Sequence, residues 1–174
     1  MFDDDKPHSE AEIFRIDRVF DAPRDLVWAA CTEAQHLAAW FGPPGTTVKV
    51  KTLDLKPGGL FHYGMEMPGG IVMWGKWMFR AVEAPSKLSY VVSFCTETGE
   101  PVRHPMAPLW PLEVLAVQSF VEQGGKTLMH SESWPINATA EERAVFTAGH
   151  ASMQMGFSGA YAQLDAYLAR IKTA

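Results

Sequence analysis

The sequence is short of cysteine, of basic clusters and of long apolar runs, and each shortage removes a class of function. Two cysteines, Cys31 and Cys95, occur in 174 residues, and their separation matches neither a zinc-ligand nor a redox spacing. They read as two buried thiols in a reducing cytoplasm. Lysine and arginine number 15 against 20 acidic residues, a formal net charge of −5. Without a basic stripe the chain has no electrostatic footprint for nucleic acid and nothing to draw it to an anionic membrane surface. No apolar run approaches the ~20 residues of a spanning helix. The opening "MFDDDKPHSEAE" lacks the apolar region of a secretory signal; residues 1–11 read as a flexible, solvated acidic tail, and the protein as cytoplasmic. The histidines at 8, 36, 62, 104, 130 and 150 include no i, i+4 pair for zinc. Phosphate loops and dinucleotide fingerprints are absent too, so no metal and no cofactor is expected.

What is present is an ordinary globular balance, 47% hydrophobic and 20% charged residues, enough for one domain over residues 12–172. The first strand is "EIFRIDRVF", in which Phe14, Ile16 and Phe20 alternate with more polar positions. Two short helices follow: Pro23 suits a first turn, Thr32 and Gln35 have capping-box spacing, and Gly42 stands where a helix stops. Residues 46–135 carry six further strands, at about 46–55, 59–67, 71–83, 87–95, 113–122 and 126–134, parted by Pro-Gly-Gly and Gly-Gly turns. Such short connections dictate antiparallel pairing. A last helix runs from the capping box Thr139/Glu142 to about Ile171 with one apolar stripe, interrupted by Gly149, Gly156 and Gly159. Those glycines suggest a bend or a close approach of backbone. The fold class is α+β: a curved seven-stranded antiparallel sheet around a long C-terminal helix. One helix cannot fill the concave side of so curved a sheet; the remainder is either large side chains or a cavity.

Residues 18–45, "RVFDAPRDLVWAACTEAQHLAAWFGPPG", with "KPGGLFHYGM" at 56–65 and "GFSGAYAQLDAYL" at 156–168, resemble the SRPBCC, or START-like, superfamily. Within it the likeness is to homologues of the heat-shock-protein-90 ATPase activator. The resemblance implies a helix-grip fold with a largely apolar cavity between sheet and C-terminal helix. It implies an apolar small-molecule ligand first; the alternatives are a chaperone partner and a polyketide cyclase or hydrolase-like activity.

Against that frame, "MEMPGGIVMWGKWMFR" at 65–80 becomes a wall of the cavity. Period-2 alternation puts Phe61, Tyr63, Met65 and Met67 on one face, joined by Trp77 and Phe79 and by Tyr90, Val92 and Phe94. Methionine adapts to varied ligand shapes. Trp40, Trp110, His150, Met153 and Phe157 complete the candidate ligand-binding set, with His150 as a polar anchor on the helix stripe. Gln118, Glu66 and Tyr63 are weaker polar candidates, and no set of catalytic residues is evident. His130 and Glu132 share a strand face and suit a cross-strand hydrogen bond. On 113–122, Leu115, Val117 and Val121 compete with Ala116 and Phe120 for the inside. The loop "PMAPLWPLE" carries exposed apolar residues and reads as a lid, a homodimer interface or a cover for a sheet edge.

Overall fold

The computed structural model describes residues 5–173. Its strands are β1 (Phe14–Phe20), β2 (Thr47–Leu53), β3 (Leu60–Glu66), β4 (Val72–Glu83), β5 (Lys87–Cys95), β6 (Glu113–Gln123) and β7 (Lys126–Ile136). They form one antiparallel sheet in the order β1-β7-β6-β5-β4-β3-β2. Two of the hairpin turns, β3–β4 and β6–β7, use paired glycines with positive φ, Gly69-Gly70 and Gly124-Gly125, a backbone that residues with a Cβ rarely adopt.

The helices are α1 (Arg24–Thr32), α2 (Ala34–Trp40), α3 (Ala140–Ala148) and α4 (His150–Lys172). Two local expectations change. Thr32 does not cap α2; it ends α1, where its hydroxyl donates to the Trp28 carbonyl at 2.7 Å. The last helix is two, broken at Gly149, where the Trp110 ring lies so near that a Cβ would sit 3.1 Å away. The Thr139/Glu142 capping box is present. Gly156 and Gly159 show no close approach, since a Cβ on either would meet nothing within 4 Å.

Pairing settles the face of β6. Ala116 stands opposite Tyr90 and Phe120 opposite Met129, so both point to the concave side with Phe14, Ile16 and Phe20 of β1. Leu164 and Leu168 of α4 and Phe146 of α3 are fully buried with them; each such side chain contributes about 1.5–3 kcal/mol. Leu115 instead joins Val91, Trp134 and Ile136 in a second cluster on the convex face.

That cluster explains the N-terminal segment. Residues 1–4 lie outside the described residues, but from Asp5 the chain makes contacts rather than standing in solvent. The Trp134 indole donates to the Asp5 carbonyl at 2.8 Å, and Glu10–Glu12 form a 3-10 turn. Glu12 is buried against Arg143 of α3 at 2.8 Å, and Arg143 also donates to the Pro135 and Ala138 carbonyls. The physical reason is that four apolar side chains of the convex face need cover, and a buried arginine needs an anion. Glu12→Ala should therefore destabilise the fold by about 3 kcal/mol in urea unfolding; a loss below about 1 kcal/mol would mark the segment as peripheral.

Candidate functional site

The wall read from the sequence faces the concave side, and its members pack on one another. Trp77 stacks on Tyr90 with centroids 4.1 Å apart, and Phe61 lies 4.7 Å from Tyr63 and 4.9 Å from Trp77. Phe41, at the end of α2, meets Tyr63 and Trp77 edge-on at 5.2 and 5.3 Å. Phe79 closes on Tyr90. The ring of Tyr63 fits because residue 75 is glycine; a Cβ there would lie 2.7 Å from its Cζ. This aromatic group fills the half of the concavity under β3–β5. Met65 is half-buried against it, Met67 is half-buried at the hairpin tip, and Val92 packs on the core from β5.

A hollow lies elsewhere, between β1, β6, β7 and α4. It is a cavity of about 30 Å³ whose apolar walls include Phe14, Ile16, Ala116 and Phe157. Its polar side is made by Gln118, Ser131, Ser133 and Tyr161, with Tyr90 and Glu132 also at the wall. The Ser131 and Tyr161 hydroxyls stand 3.4 Å apart. Burial pushes the Tyr161 phenol up to about 12, partly offset by hydrogen bonds from Ser131 and Gln118, and pushes Tyr90 well above its ordinary value. Both are neutral donors at physiological pH. The volume suits a water molecule, whereas benzene needs a cavity of about 150 Å³.

Of the ligand candidates singled out in the sequence, Tyr90, Phe157 and the polar candidate Gln118 reach this cavity. Trp40 is buried with its indole donating to the Ala30 carbonyl at 2.8 Å, a link between α1 and α2. Phe94 packs under the loop on His104, with centroids 4.9 Å apart. Trp110 covers Phe146 at the α3/α4 junction, and Arg103 of the same loop pairs with Glu142. Met106 and Leu109 stay exposed, at 88% and 53%. His150 lies between the Phe14 and Phe146 rings with Nε2 buried and unpartnered. Burial lowers its pKa, with the Glu12 backbone opposing. Met153 is half-buried on the core. His130 pairs with Asp17 across the strands and lies 3.6 Å from Glu132, on the solvated convex face. Reading by strand face alone passed over Ser131, Ser133 and Tyr161. The available signal was polarity out of place: Gln118, Ser131 and Ser133 stand in register on the inner face of neighbouring strands.

The helix above the cavity is held unevenly. The C-terminal half of α4 is tied by Arg18–Asp165, Gln163 to the Gly42 carbonyl, His36–Tyr167 at 2.6 Å and Lys172–Asp21. From Ala151 to Ala160, no side chain makes a hydrogen bond or ion pair among the described residues. Phe157, although it stacks on Phe14 at 5.7 Å, is 41% exposed.

Among the described residues no group of three His, Cys, Asp or Glu side chains could hold a metal ion, and no helix is long and apolar enough to cross a membrane. The buried acids set the alkaline limit of the fold. Cys31 is pushed up to about 12 by burial, Tyr161 likewise, and Tyr63 and Tyr90 are raised too. The unfolded chain sheds these protons first, so it binds fewer than the native state between its ordinary values and the raised ones. Stability should be unaffected by these groups below about pH 8 and fall from about pH 9 to 12, by about 1.4 kcal/mol per pH unit for each ionising group. Tyrosinate absorbance should then rise together with loss of helical signal; ionisation of all tyrosines before unfolding would contradict it.

Comparison with known proteins agrees with this architecture. A solution structure from Arthrobacter aurescens is 29% identical, with a TM-score of 0.78 over 95% of this chain and 90% of that one. A crystal structure from Mycobacterium smegmatis is 27% identical, with a TM-score of 0.74 over 93% and 94%. A protein from Silicibacter pomeroyi described as AHSA1 shares the fold at 16% identity and a TM-score of 0.67, over 90% and 97%. No curated protein matches. The helix-grip arrangement of sheet and C-terminal helix is thus the one seen in these structures, and the family model described as "Activator of Hsp90 ATPase homolog 1-like protein" matches residues 21–169: the chain belongs to that family.

Proposed function

We propose that this protein binds an apolar or aromatic small molecule between the sheet and α4. The observation that carries the reading is the partly polar hollow beneath Phe157, between the sheet and α4. Small-molecule sites combine apolar walls with a few polar groups that orient the ligand. At about 30 Å³ the hollow must grow to admit an organic molecule. The aromatic group under β3–β5 is interlocked, so enlargement there would separate many rings. The 151–160 stretch of α4 is the part that can yield: its side chains make no hydrogen bond or ion pair among the described residues, and Gly156 and Gly159 have open space around them. Binding is favoured over turnover because the tyrosines at the cavity stay protonated and the carboxylate of Glu132, the one acidic residue at its wall, is engaged by Arg15.

The family description supports a second reading, action on a heat-shock-protein-90 ATPase. The exposed Met106 and Leu109 on the loop between β5 and β6 would suit a protein partner or a second copy of the chain. ATP turnover by the purified chaperone, with and without this protein, tests it.

Gly156→Ala with Gly159→Ala should stabilise the fold by about 1–2 kcal/mol together and slow both ligand uptake and release; unchanged exchange rates would place the entry elsewhere. Native mass spectrometry of the freshly purified protein, set against its denatured mass, tests binding itself. A retained small molecule lost on denaturation is the expected result. A clean apo mass together with no thermal shift from a panel of apolar compounds would reject the reading.

A further inference from the structure

We infer that the ligand is a neutral aromatic carrying a hydroxyl, and that its ring takes the place of the Phe157 ring while its hydroxyl seats on Gln118, Ser131 and Tyr161. The inference rests on the binding reading above and adds the ligand's chemistry and the part that moves.

Three observations carry it. First, Phe157 is both a wall of the cavity and 41% exposed, stacked on Phe14 at 5.7 Å and 5.9 Å from Tyr161. It is a ring-sized plug, already half out, in a stretch without polar ties. A flat aromatic entering by its withdrawal would inherit the stack on Phe14. Second, the far side of the cavity offers uncharged polar side chains, Gln118, Ser131, Ser133 and Tyr161, beside Glu132. Tyr161 is 4% exposed, and Ser131, 9% exposed, is 3.4 Å from it. Gln118 brings both a donor and an acceptor. A ligand hydroxyl can donate to one of these groups and accept from another; a methyl in its place would strand them. Third, charge is kept away. Glu132 borders the cavity, but its carboxylate pairs with Arg15 on the convex face, and the inward-facing Arg18 is occupied by Asp165. A carboxylate ligand would be desolvated with no cation to receive it.

Phenol, toluene and benzoate separate these claims, since they match in ring size and differ in the group presented. The protein to use is the full chain with Phe157→Ala, which vacates the ring position at a half-exposed site, beside the unaltered chain. Dissociation constants follow from the rise in Tm with probe concentration. Phenol should bind Phe157→Ala about fivefold or more tighter than toluene, the return on one net hydrogen bond, and tighter than it binds the unaltered chain. Benzoate should not bind measurably. Adding Gln118→Leu or Ser131→Ala should reverse the order, because a dry apolar cavity rejects a hydroxyl. Toluene equal to or tighter than phenol would overturn the polar seat while leaving the binding reading intact. Benzoate matching phenol, or a phenol preference that survives both floor substitutions, would overturn it as well. If no probe stabilises Phe157→Ala, this inference and the binding reading fall together.

Discussion

A strongly curved seven-stranded sheet encloses more volume than one helix can occupy, and the rest of this structure follows from how that volume is filled. Under β3, β4 and β5 it is filled by rings: Phe41, Phe61, Tyr63, Trp77 and Tyr90 touch edge to face or face to face. Aromatic side chains bring the most apolar area per residue, and their preferred geometries lock neighbours in place. Gly75 is part of the same solution, because the space its missing Cβ leaves is taken by the Tyr63 ring. Under β1, β6 and β7 the filling is less complete. Small and polar side chains, Ala116, Ser131 and Ser133, stand where rings would be needed, and a hollow remains.

The two halves of α4 mirror that division. Its C-terminal half buries Leu164 and Leu168 and is tied by ion pairs and hydrogen bonds to β1, to α2 and to the segments that follow β1 and α2. Its N-terminal half begins at a break, holds two glycines that packing does not require, and rests on the sheet through His150, Met153 and Phe157. Regions with few buried contacts open at lower free energy than the core around them. The hollow therefore lies beneath the least secured part of the helix.

The convex face is not simply solvent-facing. Trp134, Leu115, Val91 and Ile136 are covered on one side by the N-terminal segment, latched through Glu12 and Arg143. On the other side, residues 96–100 fold over the sheet as Lys51, His62 and Lys76 reach their carbonyls. Ser93, which alternates with the inward Val92 on β5 and so takes the convex face, is buried beneath this segment. The loop between β5 and β6 thus joins both faces: its first part caps the convex side, and its Trp110 closes the α3/α4 junction.

Element type and order were legible in the sequence because they rest on local physics. Period-2 alternation marked the strands, paired glycines marked the turns, and Thr139 with Glu142 marked the start of α3, all settled within a few residues of chain. The inward direction of Phe61, Tyr63, Trp77, Phe79 and Tyr90 followed from the same alternation. What alternation does not contain is which strand lies beside which, and hence whether inward side chains meet one another or face a void. The register that sets Ala116 against Ser133 and Gln118 against Ser131 is a non-local fact, as are the Trp110 contact at Gly149 and the Glu12–Arg143 pair. The sequence by itself determined the strands, the order of helices and strands, and the inward face of the large side chains on β3, β4 and β5; the inner face of β6 and the break at Gly149 depended on pairing and packing. Tertiary structure alone decided that the aromatic wall is filled and that the hollow lies under Phe157, because packing depends on distances between residues far apart in the chain.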